Sequence, residues 1–289
     1  MQLHRKLQTA TILKNSGKNK DFRNYTAMLK LKPLRSQKVW GYEDWIASTH
    51  PDGCQKEFRE LTGNYPLLVK IIQADDTLSV QVHPDDQTAR LLEGPEAVGK
   101  TECWYVLDSK PGAQLVCGLK KDYTEEEILE AAQDGSLKSM LNTVSVTKGD
   151  FIFIPSGTVH AIGGGLRLLE VQQNCNITYR LYDWGRDREL HVKKAAQSVK
   201  HEGLRKIEKL PETFDCTYFT LNKKQINGHF SYECSPDKGH SPFELLFVSE
   251  GQFRSENQLL KAEEIYALKS GEKTELEGAG EVIIISAKL

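Results

Sequence analysis

The fold class that this chain predicts is all-β, a barrel or jelly roll, and three observations lead to it. Short runs rich in β-branched residues recur along most of the chain, punctuated by Asp-Asp, Pro-Gly and Ser-Gly turns. Only one segment has a strong helical pattern. Several runs alternate a polar with an apolar face, as strands do when their inner surface lines a cavity with chemistry in it. Many short strands with few helices fit barrels and jelly rolls.

Taken in order, residues 1–27 are basic, polar and weakly periodic, and are expected to form a flexible arm ahead of Met28. "PLLVKIIQA" and "TLSVQVHP" read as strands, and Asp85 or Asp86 is placed to cap a short helix in "DDQTARLLEG". "ECWYVLDSKPGAQLVCGL" reads as two strands joined by a Pro-Gly turn. "YTEEEILEAAQDGSLKSMLNTV" is the helical insertion, near residues 122–143, with Thr124 and Glu127 at capping-box spacing. Strands resume from Ser145 to about Leu181, and "RELHVKKAAQSVKHEG" reads as a helix leading to a linker near Lys209 and Pro211. The expected organisation is a larger domain over 28–208, with the helical insertion, and a smaller β-domain over 209–289.

Composition narrows the partners. The 38 basic and 40 acidic residues leave a formal charge of −2, which gives no global attraction to nucleic acid or anionic membrane, so a small molecule is the expected partner. No run approaches the roughly 18 apolar residues needed to span a bilayer, and the start of the chain has no apolar signal core. The six cysteines are scattered without a C-x-x-C pair, as expected of reduced thiols in a cytoplasmic protein. A monomer or weak homodimer is the expected state.

The chemistry concentrates around "GDFIFIPSGTVHAIGGG". Phe151 to Ile154 reads as a buried strand that ends at Pro155, Gly157 permits the turn, and His160 opens the next strand. In "LSVQVHP", Ser79, Gln81 and His83 share one face, while in "ECWYVL" Glu102 lies with Trp104 and Val106. Farther on, Glu170, Gln172, Asn174, Asn176, Thr178 and Arg180 share one face of a predicted strand pair. Gln81, His83, Glu102 and His160 together supply two nitrogens and two oxygens, a set suited to Zn²⁺, although two histidines and a carboxylate also suit Fe²⁺. Laying "AEEIYALKSGEKTEL" under the His160 segment puts Thr274 in the histidine's place, so the C-terminal block reads as a decayed copy without the metal.

The spacing Gly149, Pro155, Gly157, His160 fits the second signature of the cupin barrels, G-x5-P-x-G-x2-H. With Gln81 where the first cupin signature normally has a histidine, and with "LSVQVHPDD", "GKTECW" and "QNCNITYRLYDWGR", the chain resembles the mannose-6-phosphate isomerases of the zinc-dependent cupin type, in particular the short bacterial form. The resemblance runs from about Lys38 to Arg186 and more loosely to the C-terminus. It implies a double-stranded β-helix (cupin/jelly-roll) barrel with a degenerate cupin-like domain behind it. It also implies one Zn²⁺ per chain held by Gln81, His83, Glu102 and His160, a catalytic Arg180 and a site lysine at Lys100. Ser79 and Trp40 are expected in the sugar-phosphate pocket, with Lys100 contributing to both binding and catalysis. The implied reaction interconverts mannose 6-phosphate and fructose 6-phosphate by proton transfer through an enediolate. A non-catalytic sugar-binding cupin and an Fe(II)-dependent oxygenase are the alternatives. The proton-transferring base stays open, as does the structural alternative for Arg180, an ion pair with Asp183 or Asp187.

Overall fold

The computed structural model describes residues 28–200, 207–256 and 258–289; the predicted arm, residues 1–27, lies outside them. A seven-stranded antiparallel sheet runs, in spatial order, Glu208–Lys209, Asp150–Ile154, Glu102–Ser109, Leu166–Gln173, Leu67–Ala74, Gly41–Ala47 and Leu34–Lys38. Facing it are five strands in the order Leu141–Ser145, Gln114–Leu119, His160–Ile162, Val80–Val82 and Tyr179–Tyr182. The Pro111–Gly112 turn therefore carries the chain from one sheet to the other instead of closing a hairpin, which is how a jelly roll is wound. A third sheet holds most of the C-terminal strands, three of them long: Phe219–Glu233, His240–Ser255 and Lys273–Lys288.

The alternation of each strand assigns its side chains to layers. Trp104, Val106, Ile152, Ile154 and Leu168 meet Leu115, Cys117 and Ile162 inside the barrel. On the opposite side of the seven-stranded sheet, Cys103, Leu169, Val171 and Val69 pack against Phe219, Leu245, Phe247 and Ile283 of the C-terminal sheet. On the outer side of the five-stranded sheet, Val80 and Val82 are covered by Ile128, Ala131, Ala195 and Ala196 from the helices Glu125–Asp134 and Val192–Ser198. Each fully buried Val, Leu or Ile among these stabilises the fold by roughly 1.5–3 kcal/mol relative to exposure. Thr124 and Glu127 close the capping box expected of them, and Asp85 caps the helix Asp86–Glu93 by accepting from Thr88 N.

Two expected features come out differently. The predicted strand pair from residue 169 to 181 is divided between sheets: Leu166–Gln173 lies in the seven-stranded one and Tyr179–Tyr182 in the other. The Gln172 amide donates to the carbonyls of Gln173 and Cys175, and Cys175 N donates to Gln173 O, so local bonds replace the ladder there. Because the two inner faces look at each other, Glu170, Asn176, Thr178 and Arg180 still line one cavity. The expected linker near Lys209 instead starts as a strand, since Glu208–Lys209 pairs with Asp150 and Phe151 at the sheet edge. At the other end, Leu29–Lys30 pairs with Tyr266 and Ala267, which joins the first described residues to the C-terminal sheet. Thr274 is buried on that sheet and hydrogen-bonded to Ser255.

Candidate metal centre and substrate cavity

Register across the two sheets assembles the centre. On one wall Glu102 opens its strand, with Ile154 and Gln172 as lateral neighbours. On the other, His160 is the lateral neighbour of Gln81, and Gln81 that of Arg180, so three polar residues form one row. His83 follows the end of Val80–Val82, where its carbonyl accepts from Gly157 N at 2.7 Å. Gly157 has φ +90°, and a Cβ there would lie 2.6 Å from Lys200 Cγ, so the turn ahead of His160 requires glycine.

The two histidines and the carboxylate are buried, and their nearest donor atoms all lie within 4.8 Å of one another. Nε2 of His83 and Nε2 of His160 are each 3.6 Å from a Glu102 oxygen. Each Nδ1 lies 2.9 Å from a backbone carbonyl, that of Ile177 for His83 and that of Thr158 for His160. A carbonyl only accepts, so each Nδ1 carries the proton and each Nε2 offers its lone pair toward the carboxylate. Burial keeps both imidazoles neutral, holding His83 well below its ordinary pKa and His160 at about 4. Glu102 Oε1 is buried with no hydrogen-bond donor. Two lone pairs and an orphaned carboxylate oxygen converging in a dry site fit a divalent cation of the borderline type, bound by nitrogen and oxygen.

Gln81 turns its amide nitrogen toward His160 Nε2, at 3.3 Å, and its oxygen accepts from Ser79 Oγ at 3.1 Å. An amide nitrogen is not a metal ligand, so Gln81 would join the set only with its amide turned end for end. Lys100 is buried within the donor set, with Nζ 2.6 Å from Glu102 Oε2 and 2.9 Å from His83 Nε2.

A cavity of about 560 Å³ opens over this centre, and Trp40, Ser79, Gln81, Lys100 and Arg180 all line it. Arg180 Nη1 donates to Glu189 O at 3.3 Å and lies 3.5 Å from His191 Nδ1. Burial and the nearby Arg188 lower its pKa. Asp183, a suggested partner for Arg180, is instead taken by Arg188, at 2.6 and 2.7 Å, and by Arg186 at 3.3 Å. Sequence reasoning missed Lys70, Arg188 and His191 on the cavity wall, and left Glu170 without a role. Lys70 and Glu170 form a buried ion pair of 2.9 Å. Burial works against the Glu170 carboxylate, but Lys70 and Lys100 outweigh it and hold its pKa below the ordinary value. The signal for Lys70 was its charge in the middle of the apolar run "PLLVKIIQA", where a lysine needs a buried partner.

Known proteins resemble the chain over most of its length. The family described as phosphomannose isomerase type I, catalytic domain, matches residues 33–102. The mannose-6-phosphate isomerase ManA of Bacillus subtilis (strain 168) is 39% identical over 256 residues, covering 78% of this chain and 77% of the relative. The mannose-6-phosphate isomerase of Streptococcus mutans is 35% identical over 285 residues, covering 82% and 85%. The crystal structure of a Bacillus subtilis mannose 6-phosphate isomerase superimposes with a TM-score of 0.77 at 28% identity, over 90% of this chain and 99% of that one. With relatives this similar over most of its length, and with the cupin barrel and donor set in place, the chain belongs to the mannose-6-phosphate isomerases.

Proposed function

We propose that the chain interconverts mannose 6-phosphate and fructose 6-phosphate with one zinc ion per chain held by His83, Glu102 and His160. The observation that carries this reading is the convergence of those three donors beneath a polar cavity with Lys100 and Arg180 on its wall, in a chain of this family. The reaction takes a proton from C2 of the open aldose and returns one to C1, with negative charge on the sugar oxygens in between. Zinc, when bound, supplies Lewis-acid polarisation of those oxygens. The Lys100 ammonium and the Arg180 guanidinium offer two fixed positive groups for the charge that develops. Glu170, buried and paired with Lys70, adds a fixed negative charge to the cavity wall, and that pairing makes it a poor proton acceptor. Trp40 and Ile72 supply apolar wall that limits water.

Family membership favours the isomerase over an Fe(II)-dependent oxygenase or a non-catalytic sugar-binding cupin. We place the protein in the cytoplasm, as a monomer or weak homodimer acting on a free sugar phosphate. None of the six cysteines, all among the described residues, is disulfide-bonded, which suits a reducing compartment, and among the described residues no helix is long and apolar enough to cross a membrane. The test is to incubate the purified chain with mannose 6-phosphate and follow fructose 6-phosphate, before and after chelation. Product that disappears with chelator and returns with zinc supports the proposal; a zinc-loaded chain that forms none overturns it.

A further inference from the structure

We infer that Asp86, at the start of the helix Asp86–Glu93, is a positioning residue for Lys100 and Glu102, and that Tyr218 holds it in place from the bend that leads into the C-terminal strand Phe219–Glu233. The inference rests on the isomerase reading and deepens it. Neither residue lines the cavity or belongs to the donor set.

The geometry is an accounting of backbone donors. Three successive amides lead into Glu102, and each has an acceptor outside its own strand. Gly99 N donates to Asp86 Oδ1 at 2.7 Å, Lys100 N to Pro84 O at 3.0 Å, and Thr101 N to Gln173 Oε1 at 2.8 Å. Gln173 is itself oriented by Asp86, because its Nε2 donates to the same Asp86 Oδ1 at 3.1 Å. Two of the three anchors on the segment that carries Lys100 and Glu102 therefore depend on one carboxylate. Gly99 makes this close approach sterically feasible, since a Cβ there would lie 2.7 Å from the Asp85 carbonyl carbon and from Asp86 N.

The other oxygen of Asp86 reaches the C-terminal block. Tyr218 OH donates to Asp86 Oδ2 at 2.9 Å, and Tyr218 O accepts from Lys288 N at 2.9 Å, next to the strand Phe219–Glu233. Four hydrogen bonds, Gly99–Asp86, Gln173–Asp86, Thr101–Gln173 and Tyr218–Asp86, thus tie the C-terminal block, the helix start that follows His83 and the strand start at Glu102 into one network. Glu102 depends on it for placement, because a ligand carboxylate binds a metal well only when its strand fixes it in advance.

Zinc affinity and steady-state kinetics of Asp86→Ala, Asp86→Asn and Tyr218→Phe decide the matter, with folding of each checked by thermal unfolding. Asp86→Ala should raise the zinc dissociation constant about 10- to 100-fold and lower kcat at saturating zinc, the range for loss of a group that orients a metal ligand. Asp86→Asn keeps an acceptor oxygen for Gly99 and Gln173, so it should rescue both quantities to within about threefold of wild type. Tyr218→Phe removes one hydroxyl and should weaken zinc binding by about three- to tenfold. A role confined to stability would lower the melting temperature and leave zinc affinity unmoved. Wild-type zinc affinity in Tyr218→Phe, or in a folded Asp86→Ala, overturns the inference. Wild-type enzyme that fails to turn over mannose 6-phosphate overturns the isomerase reading instead, and the zinc titrations still judge the role of Asp86.

Discussion

Lys100 Nζ lies 2.6 Å from Glu102 Oε2, so a buried ammonium occupies the same carboxylate that the metal set requires. The pair is almost fully shielded from water, where charges interact far more strongly than at the surface. Whatever cation Glu102 receives, it shares that carboxylate with a lysine two residues upstream.

For Lys100→Met this sharing predicts opposite effects on metal and on turnover. Removing a positive charge beside the donor set should leave zinc affinity unchanged or raise it, while kcat falls on the order of 10²-fold through loss of a preorganised cation. Zinc titration of the variant, set beside its kinetics, checks both. A large loss of zinc affinity would mean that Lys100 builds the metal site and does not act beside it.

Arg180 stands one strand from Gln81 and two from His160, and its guanidinium faces the cavity. Arg180→Ala should lower kcat by roughly 10²-fold or more with zinc still bound, because the charge it would stabilise appears only as the enediolate forms. If the guanidinium grips the phosphate uniformly instead, KM rises and kcat stays near wild type. Steady-state kinetics on the zinc-loaded variant separates the two.

Lys70 and Glu170 give a stability prediction. Lys70→Met leaves the Glu170 carboxylate buried beside its lost partner, and breaking such a pair costs about 3–5 kcal/mol. Chemical denaturation should show that loss at neutral pH. A variant as stable as wild type would show that Lys100 alone compensates the carboxylate.

Asp183 supplies a pH dependence. Burial works against its charged form, but Arg188 and Arg186 outweigh burial and hold its pKa below the ordinary value. The folded value lies below the unfolded one, near about 3.9, so the stabilisation is present above that pH and disappears as pH falls through the folded value. Asp183→Asn should therefore be less stable than wild type by about 1.5–3 kcal/mol at neutral pH, the worth of hydrogen bonds to charged groups. The gap should close below about pH 4. Unfolding curves from pH 7 to pH 3 test this, and a gap that widens in acid would contradict it.

The sequence made much of this legible wherever a local rule acts alone. Period-two alternation put Ser79, Gln81 and Arg180 on the cavity side, and the proline and glycine before His160 fixed the turn that delivers it. Capping chemistry marked the starts of two helices at Asp85 and Thr124. What stayed hidden depends on pairing between distant segments. The Lys70–Glu170 pair spans two strands, the division of residues 169–181 between sheets goes with the Gln172 side chain bonding the Gln173 and Cys175 carbonyls, and Tyr218 reaches Asp86 from the bend before Phe219–Glu233. Arg188 and His191 follow the strand Tyr179–Tyr182, in a segment whose course no strand parity fixes.

Zinc content and isomerase turnover measured together on His160→Ala test the central claim most directly, since this substitution removes one ligand bond of about 2.0–2.1 Å that no neighbour can replace. Wild type should hold close to one zinc per chain and convert mannose 6-phosphate to fructose 6-phosphate, and His160→Ala should lose both the metal and the turnover while remaining folded. Full zinc occupancy with undiminished turnover in His160→Ala would contradict the assignment of His83, Glu102 and His160 as the catalytic metal centre.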